Sequence, residues 1–173
     1  MNYNTVLIMR GVSGSGKDTW IKENVDNARV CSADNFFLKK CGFSVSDKAF
    51  MGPNGQMVEY VFDVGRLPEA HSWCMGEFLK AVYEHVPAIV VNNTHTRCWE
   101  WENYARIALI AGYDVEVVTL ACTTLDQVRI CRDRNVHDVP ASVIAGAAVR
   151  FEDTSRCSED LRSRIKSTVL QVT

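Results

Sequence analysis

Residues 11–19 read Gly-Val-Ser-Gly-Ser-Gly-Lys-Asp-Thr, placed after the apolar run Val6-Leu7-Ile8-Met9 and before a stretch carrying Trp20, Ile21 and Val25 at helical spacing. Glycine at 11, 14 and 16 removes the Cβ atoms that would stop the backbone from wrapping an anion. Successive N–H groups and the N-terminus of the following helix can then point at phosphate oxygens. Lys17 adds a positive charge for the β- and γ-phosphates. The strand-loop-helix context makes this a phosphate-binding loop, and the expectation is nucleoside triphosphate binding through Gly11, Ser13, Gly14, Ser15, Gly16, Lys17, Asp18 and Thr19.

The flanking chain alternates strands and helices. Residues 2–9 read as a buried parallel strand, 17–25 as a helix and 28–32 as a second strand ending at Ala33-Asp34-Asn35, with a helical turn at Phe36, Phe37 and Leu38. Residues 39–60 contain Gly42, Gly52, Pro53, Asn54 and Gly55 and read as an irregular insertion, a hairpin or flap. A helix over 67–84 has Pro68 in its first turn, and Pro87 precedes a buried strand over 88–93. A helix over 97–111 stops at Gly112, and a strand over 113–120 follows. Helices over 125–134 and 141–151 flank a polar segment, and the tail adds a helix or one edge strand. The sum is an α/β fold in three layers, a four- or five-stranded, mainly parallel sheet flanked by helices, in a single domain over 1–173.

With 173 residues and 47% hydrophobic content, the chain suits one core. Its apolar runs fall short of a membrane span, and no secretory signal pattern is read, so a cytoplasmic protein is expected, in the host cytoplasm if viral. Seven cysteines, without a C-x-x-C pair, support neither a zinc site nor a disulfide framework and read as reduced, mostly buried thiols. A net charge of −2 denies the chain a broad basic face, so a nucleic-acid partner would be met at an end or a single nucleotide.

In a parallel sheet, ligands gather at the carboxyl ends of the strands. The phosphate loop, Asp34 and the run Asn92-Asn93-Thr94-His95 all fall there, so Asp34 is expected to face the γ-phosphate across a cleft. As an alternative, Asp34 caps the helical turn that follows it. His71, Trp73, His95, Trp99 and Trp101 invite base stacking, but Trp73 and Trp99 have apolar neighbours and are expected in the core. Phe36, Phe37, Tyr60 and Phe62 flank the insertion and frame a candidate acceptor pocket.

Over roughly residues 4–152 the chain resembles the P-loop kinase domain of phage-type polynucleotide 5′-hydroxyl kinases and their eukaryotic P-loop relatives. The resemblance rests on Gly11 to Trp20, Ser32-Ala33-Asp34-Asn35-Phe36-Phe37, Glu69-Ala70-His71-Ser72-Trp73, Val91-Asn92-Asn93-Thr94 with Trp99-Glu100, and Arg134-Asn135-Val136-His137 with Val139-Pro140. It implies transfer of the γ-phosphoryl group of ATP, or of another nucleoside triphosphate, to a hydroxyl of a nucleic acid, a polynucleotide 5′-hydroxyl first. In that scheme Lys17 holds the β/γ-phosphates, Asp34 is the general base, and Arg132 or Arg134 reaches the triphosphate from a lid over about 132–140. A solvated face for either arginine remains the alternative, and Arg129 or Arg150 could substitute.

The chain departs from this family twice. Asp18 stands where Ser or Thr usually follows the lysine to ligate Mg2+, and Asn92 and Asn93 stand where relatives place a metal-orienting Asp. The expectation is that the metal carboxylate has moved to Asp18; alternatively Asp18 only favours the first helical turn. The same catalytic parts would serve phosphorylation of a hydroxymethylated pyrimidine base in DNA or a small metabolite or nucleoside. A non-catalytic nucleotide-binding adaptor is the reading from a different class.

Overall fold

The computed structural model describes residues 4–40, 50–51, 56–136 and 138–173; Cys41, His137 and most of the predicted insertion lie outside these residues. Five strands form one parallel sheet in the order β2-β6-β1-β7-β8, comprising β1 (Thr5–Arg10), β2 (Arg29–Cys31), β6 (Ala88–Asn92), β7 (Asp114–Ala121) and β8 (Lys166–Gln171). The connecting helices are α1 (Lys17–Asn24), α2 (Leu67–Tyr83), α3 (Glu102–Ile110), α4 (Leu125–Asp133), α5 (Ala141–Val149) and the one-turn α6 (Glu159–Arg162). The tail thus supplies both elements between which its sequence wavered, a helical turn and an edge strand. Over 38–60, β3 (Leu38–Lys40), β4 (Phe50–Met51) and β5 (Met57–Tyr60) pair antiparallel in the order β3-β5-β4.

Strand alternation divides the core. Val6 and Ile8 of β1, Ile89 and Val91 of β6 and Val117 of β7 pack on the side of α2 and α3, whereas Leu7, Met9, Val90 and Val118 pack with Ile21 of α1. The inward stripe of α2 is Ala70, Cys74, Phe78 and Ala81. Trp73 lies one residue off that stripe and is 37% exposed, and Trp99 is 69% exposed, so neither joins the core as expected. Trp101 does, being fully buried. Its non-helical backbone (φ −127°, ψ −17°) separates a 3-10 turn at Cys98–Glu100 from α3, so the helix predicted from residue 97 starts at Glu102.

Among the described residues, Cys31, Cys74, Cys98, Cys122, Cys131 and Cys157 are buried free thiols. Burial pushes the thiols of Cys31 and Cys131 up to about 12, which leaves both unreactive at neutral pH. Cys98, Glu102 and Cys157 place ligand atoms within 4.8 Å of one another. Burial also raises both of these thiols, which works against a cation there.

Arg10, at the carboxyl end of the central strand, is 1% exposed. Its Nε donates to the His95 carbonyl at 3.0 Å and its Nη2 to the Glu152 carbonyl at 2.7 Å, while the rings of Trp101 and Phe151 sit 5.4 and 4.7 Å from the guanidinium carbon. One cation therefore ties β1 to the turns after β6 and α5, and burial lowers its pKa. Replacing Arg10 by Met removes two charge-assisted bonds and strands two carbonyls, with an expected cost of about 2–4 kcal/mol. Urea unfolding of Arg10→Met measures it; a change below about 0.5 kcal/mol would show the cation to be dispensable.

His95 is 3% exposed, and its Nδ1–H donates to the Met9 carbonyl at 2.9 Å. Burial, aided by the nearby Arg10 charge, lowers its pKa to about 3, against the opposing effect of the Met9 bond. The ring is structural, not a stacking face. Between pH 6.5 and about 3 the unfolded chain binds a proton that folded His95 refuses, so stability is complete above pH 6.5 and falls with acidity by about 1.4 kcal/mol per pH unit. His95→Gln should be less stable at neutral pH yet flatter between pH 6 and 4. Parallel stability curves for the two proteins would contradict this origin of the slope.

Candidate active site

The phosphate loop is held by sterics on one side and hydrogen bonds on the other. Gly14 (φ +76°) presses against α4 so closely that a Cβ would lie 1.8 Å from the Cys131 carbonyl oxygen, and Gly16 (φ +95°) caps α1 in the left-handed region. Gly11 N–H donates to the Thr94 carbonyl at 3.0 Å, locking the loop to the end of β6. The cradle opens into a cleft of about 820 Å³. Ser13, Gly14, Ser15, Gly16, Lys17, Asp18 and Thr19 line it, together with Asp34, Asn92 and Arg134.

Lys17 is folded onto its own loop. Its Nζ donates to the carbonyls of Gly11 and Val12 at 2.8 and 3.1 Å. Burial lowers the ammonium pKa, while the neighbouring carboxylates of Asp18 and Asp34 oppose that shift. Both acids predicted for the site therefore lie close enough to act on the lysine.

Asp34 sits in the 3-10 turn Ala33–Phe37 that follows β2. Ser32 caps this turn, accepting the Asp34 N–H on Oγ at 3.3 Å, so the capping alternative for Asp34 falls to its neighbour and its carboxylate faces the cleft. The Ala33 N–H is taken by Asn93 Oδ1 at 2.9 Å in the buried interior. The Tyr60 hydroxyl donates to Asp34 Oδ1 at 3.2 Å. Burial, reinforced by the Asp34 carboxylate, pushes the Tyr60 phenol upward, so it stays a donor at neutral pH.

The two departures at Asp18 and Asn92 meet in space. Asn92 Nδ2 donates to Asp18 Oδ1 at 2.7 Å, and Asn92 Oδ1 and Ser15 Oγ are buried without a hydrogen-bond partner. Orphaned buried oxygens require a ligand or water to satisfy them. A carboxylate, an amide oxygen and a hydroxyl are the hard oxygen donors that suit Mg2+ with bound water and phosphate. The residues fit the cation that the loop implies.

The lid arginines separate. Arg134, the cap residue of α4, lines the cleft. Arg132 points elsewhere, forming a two-point ion pair with Asp133 (2.8 and 2.7 Å). Arg129 is paired with Asp126 at 2.7 Å, and Arg150 Nε donates to Thr96 Oγ1 at 3.3 Å. Two contacts carry no signal in the sequence: Asn93, which stands where relatives place a metal-orienting Asp, takes the Ala33 N–H instead, and Tyr60, expected only to frame an acceptor pocket, is carried to Asp34 by the pairing of Leu38 with Tyr60 across β3 and β5.

The AAA domain family model AAA_33 matches residues 6–154. NEDD4-binding protein 2 of Homo sapiens is 30% identical over 110 residues, 64% of this chain and 5% of that protein, so the chain spans only a small part of that relative. Among solved structures, a gluconokinase from Sinorhizobium meliloti 1021 superposes with a TM-score of 0.58 at 15% identity, covering 100% of this chain and 85% of that one. A chain of the Pnkp1/Rnl/Hen1 RNA repair complex superposes with a TM-score of 0.59 at 15% identity, covering 87% and 45%. These two likenesses establish the P-loop kinase fold. With its match spanning most of the chain, the protein belongs to the AAA domain family AAA_33, a P-loop kinase-like family.

Proposed function

We propose that this protein is an ATP-dependent kinase that transfers the γ-phosphoryl group to a hydroxyl of a nucleic acid, a polynucleotide 5′-hydroxyl end first. The observation that carries the reading is that Lys17, Asp34 and Arg134 line one cleft, with the Asp34 carboxylate near enough for its charge to act on the lysine. The similarity to a chain of an RNA repair complex supports the choice of acceptor, and that to a gluconokinase supports phosphoryl transfer to an alcohol.

Lys17 exchanges the Gly11 and Val12 carbonyls for β- and γ-phosphate oxygens. Asp34 receives the proton of the acceptor hydroxyl as its oxygen bonds to the γ-phosphorus and the bond to the β–γ bridging oxygen breaks, releasing ADP. Tyr60 occupies Asp34 Oδ1, so the other carboxylate oxygen is turned to the acceptor. Arg134 meets charge that develops on the transferring group, and Arg132 takes that role only if closure breaks its pair with Asp133. Mg2+, when bound, screens the β/γ-phosphate charge; Asp18, oriented by Asn92, and Ser15 are the residues that would hold it and its waters. The apolar wall of Leu120, Val136 and Leu170 suits the nucleobase of the triphosphate.

Transfer of γ-labelled phosphate from ATP to single-stranded DNA and RNA, followed by nuclease digestion, tests the reading. Label on the 5′-terminal nucleotide is expected. Label on an internal base would move the acceptor to a modified pyrimidine, and turnover with sugars or nucleosides alone would move it to a small molecule. Asp34→Asn should lower kcat by at least about 100-fold with ATP affinity retained. A variant that loses ATP affinity and activity together would place Asp34 in nucleotide binding instead.

The metal assignment has its own test. Asp18→Asn should raise the Mg2+ concentration for half-maximal activity about tenfold or more, and exchanging the pair as Asp18→Ser with Asn92→Asp should bring it back toward wild type. An unchanged magnesium titration in Asp18→Asn would remove Asp18 from the metal site.

A further inference from the structure

Beside Asp34 the chain builds an aromatic step that phosphoryl transfer itself does not use. Tyr60 and Phe62, two residues apart on extended chain, place their rings on one side, 13° from parallel with centroids 6.3 Å apart. Phe37 supports both from beneath, at 6.0 Å from Tyr60 and 5.1 Å from Phe62, and is itself 2% exposed. The step therefore rises from the core, and its outer ring stays open: Phe62 is 52% exposed. At its inner end the Tyr60 hydroxyl is bonded to Asp34.

A packing role accounts for Phe37 and Phe36, whose rings meet edge to face at 5.3 Å. It does not account for Phe62, which leaves half its surface in water while stacked in register with a ring that touches the proposed base. Charge does not account for the patch either. The nearby cation, Arg66, lies 4.5 Å over the ring of Phe36, and Glu69 answers it with bonds of 2.8 and 2.9 Å. What the patch offers is an exposed aromatic ring beside the ring that bonds Asp34, and the matching ligand feature is a planar ring system. A sugar or an aliphatic alcohol has none; a nucleoside carries one.

Resting on the kinase reading above, we infer that the Tyr60–Phe62 step is the acceptor platform: the nucleobase of an unpaired 5′-terminal nucleotide stacks on Phe62, and that contact delivers its 5′-hydroxyl to Asp34. Base stacking on an aromatic side chain is sequence-tolerant, so the platform selects for the presence of a base and not for its identity. Recognition of this kind also needs no broad basic surface, in keeping with the net charge of −2.

The test compares two single-stranded DNA acceptors that differ only at the 5′-terminal nucleotide, one bearing a base and one a tetrahydrofuran abasic residue, each with a free 5′-hydroxyl. For the wild type, KM for the base-bearing strand should be lower by about tenfold or more. Phe62→Ala should close that gap, Phe62→Trp should keep it, and Tyr83→Ala, at the exposed far end of α2, should leave it as in the wild type. Equal KM values for the two strands in the wild type, or an intact gap in Phe62→Ala, would overturn the platform while leaving the kinase reading standing. If neither strand is phosphorylated, the 5′-hydroxyl reading falls instead. Fluorescence anisotropy of the labelled strands then decides the platform by itself: tighter binding of the base-bearing strand, lost in Phe62→Ala, supports it, and equal binding overturns it.

Discussion

Two adjacent amides at the end of β6 hold the site together. Asn92 is the last residue of β6 and Asn93 the first after it, and their side chains reach in two directions at once. Asn92 crosses to Asp18 in the first turn of α1, and Asn93 takes the Ala33 N–H at the head of the turn that presents Asp34. The phosphate-binding half and the proposed base-bearing half are thus referenced to the same two residues. Because Asn93 acts from the buried interior and also donates to Cys74 Sγ at 3.5 Å, the placement of Asp34 is coupled to the packing of α2.

Asn92 and Asp18 also bear on the proposed cation site, where exchanging the usual residue types keeps the charge. A parallel sheet of this order brings the residue after the loop lysine and the end of the neighbouring strand within hydrogen-bond reach, so one carboxylate can sit on either side. What is conserved by the exchange is one negative charge and one neutral polar partner, which is the quantity a divalent cation senses at short range. Asn92 adds something that Asp would not. Its amide nitrogen bonds Asp18 Oδ1, while its own carbonyl oxygen stays buried without a hydrogen-bond partner, an acceptor in reserve.

Much of this was legible in the sequence. Glycines at 14 and 16 with Lys17 announced the loop, because left-handed backbone and close approach leave few other residue types possible. The alternation of apolar runs with helical periods announced the parallel sheet, and sheet topology put Asp34 and the loop at the same strand ends, where both line one cleft. Legibility ended where a residue's neighbours come from distant chain. Trp73 has apolar neighbours in sequence and Trp101 stands among charged ones, yet the α2 stripe turns Trp73 outward while Trp101 is buried beside the Arg10 guanidinium. Arg132 and Arg134 are two residues apart, which on a helix sends them to different faces, and only the end of α4 decides which one meets the cleft. Tyr60 gained its place through strand pairing across a poorly patterned insertion, for which local sequence carries no register signal.

The end of α4 and the loop share one contact. The Cys131 carbonyl that walls Gly14 lies three residues before Arg134, about one turn of α4, so the place of Arg134 is tied to the contact that shapes the loop. A Cβ at Gly14 would lie 1.8 Å from that carbonyl oxygen, so any side chain there would force α4 away and Arg134 with it. Lys17, held meanwhile by two loop carbonyls, keeps the cradle formed before any anion arrives. Binding free energy then goes into orienting phosphates and not into folding the loop, which is the condition under which fixed N–H groups and charges favour the transition state over the ground state.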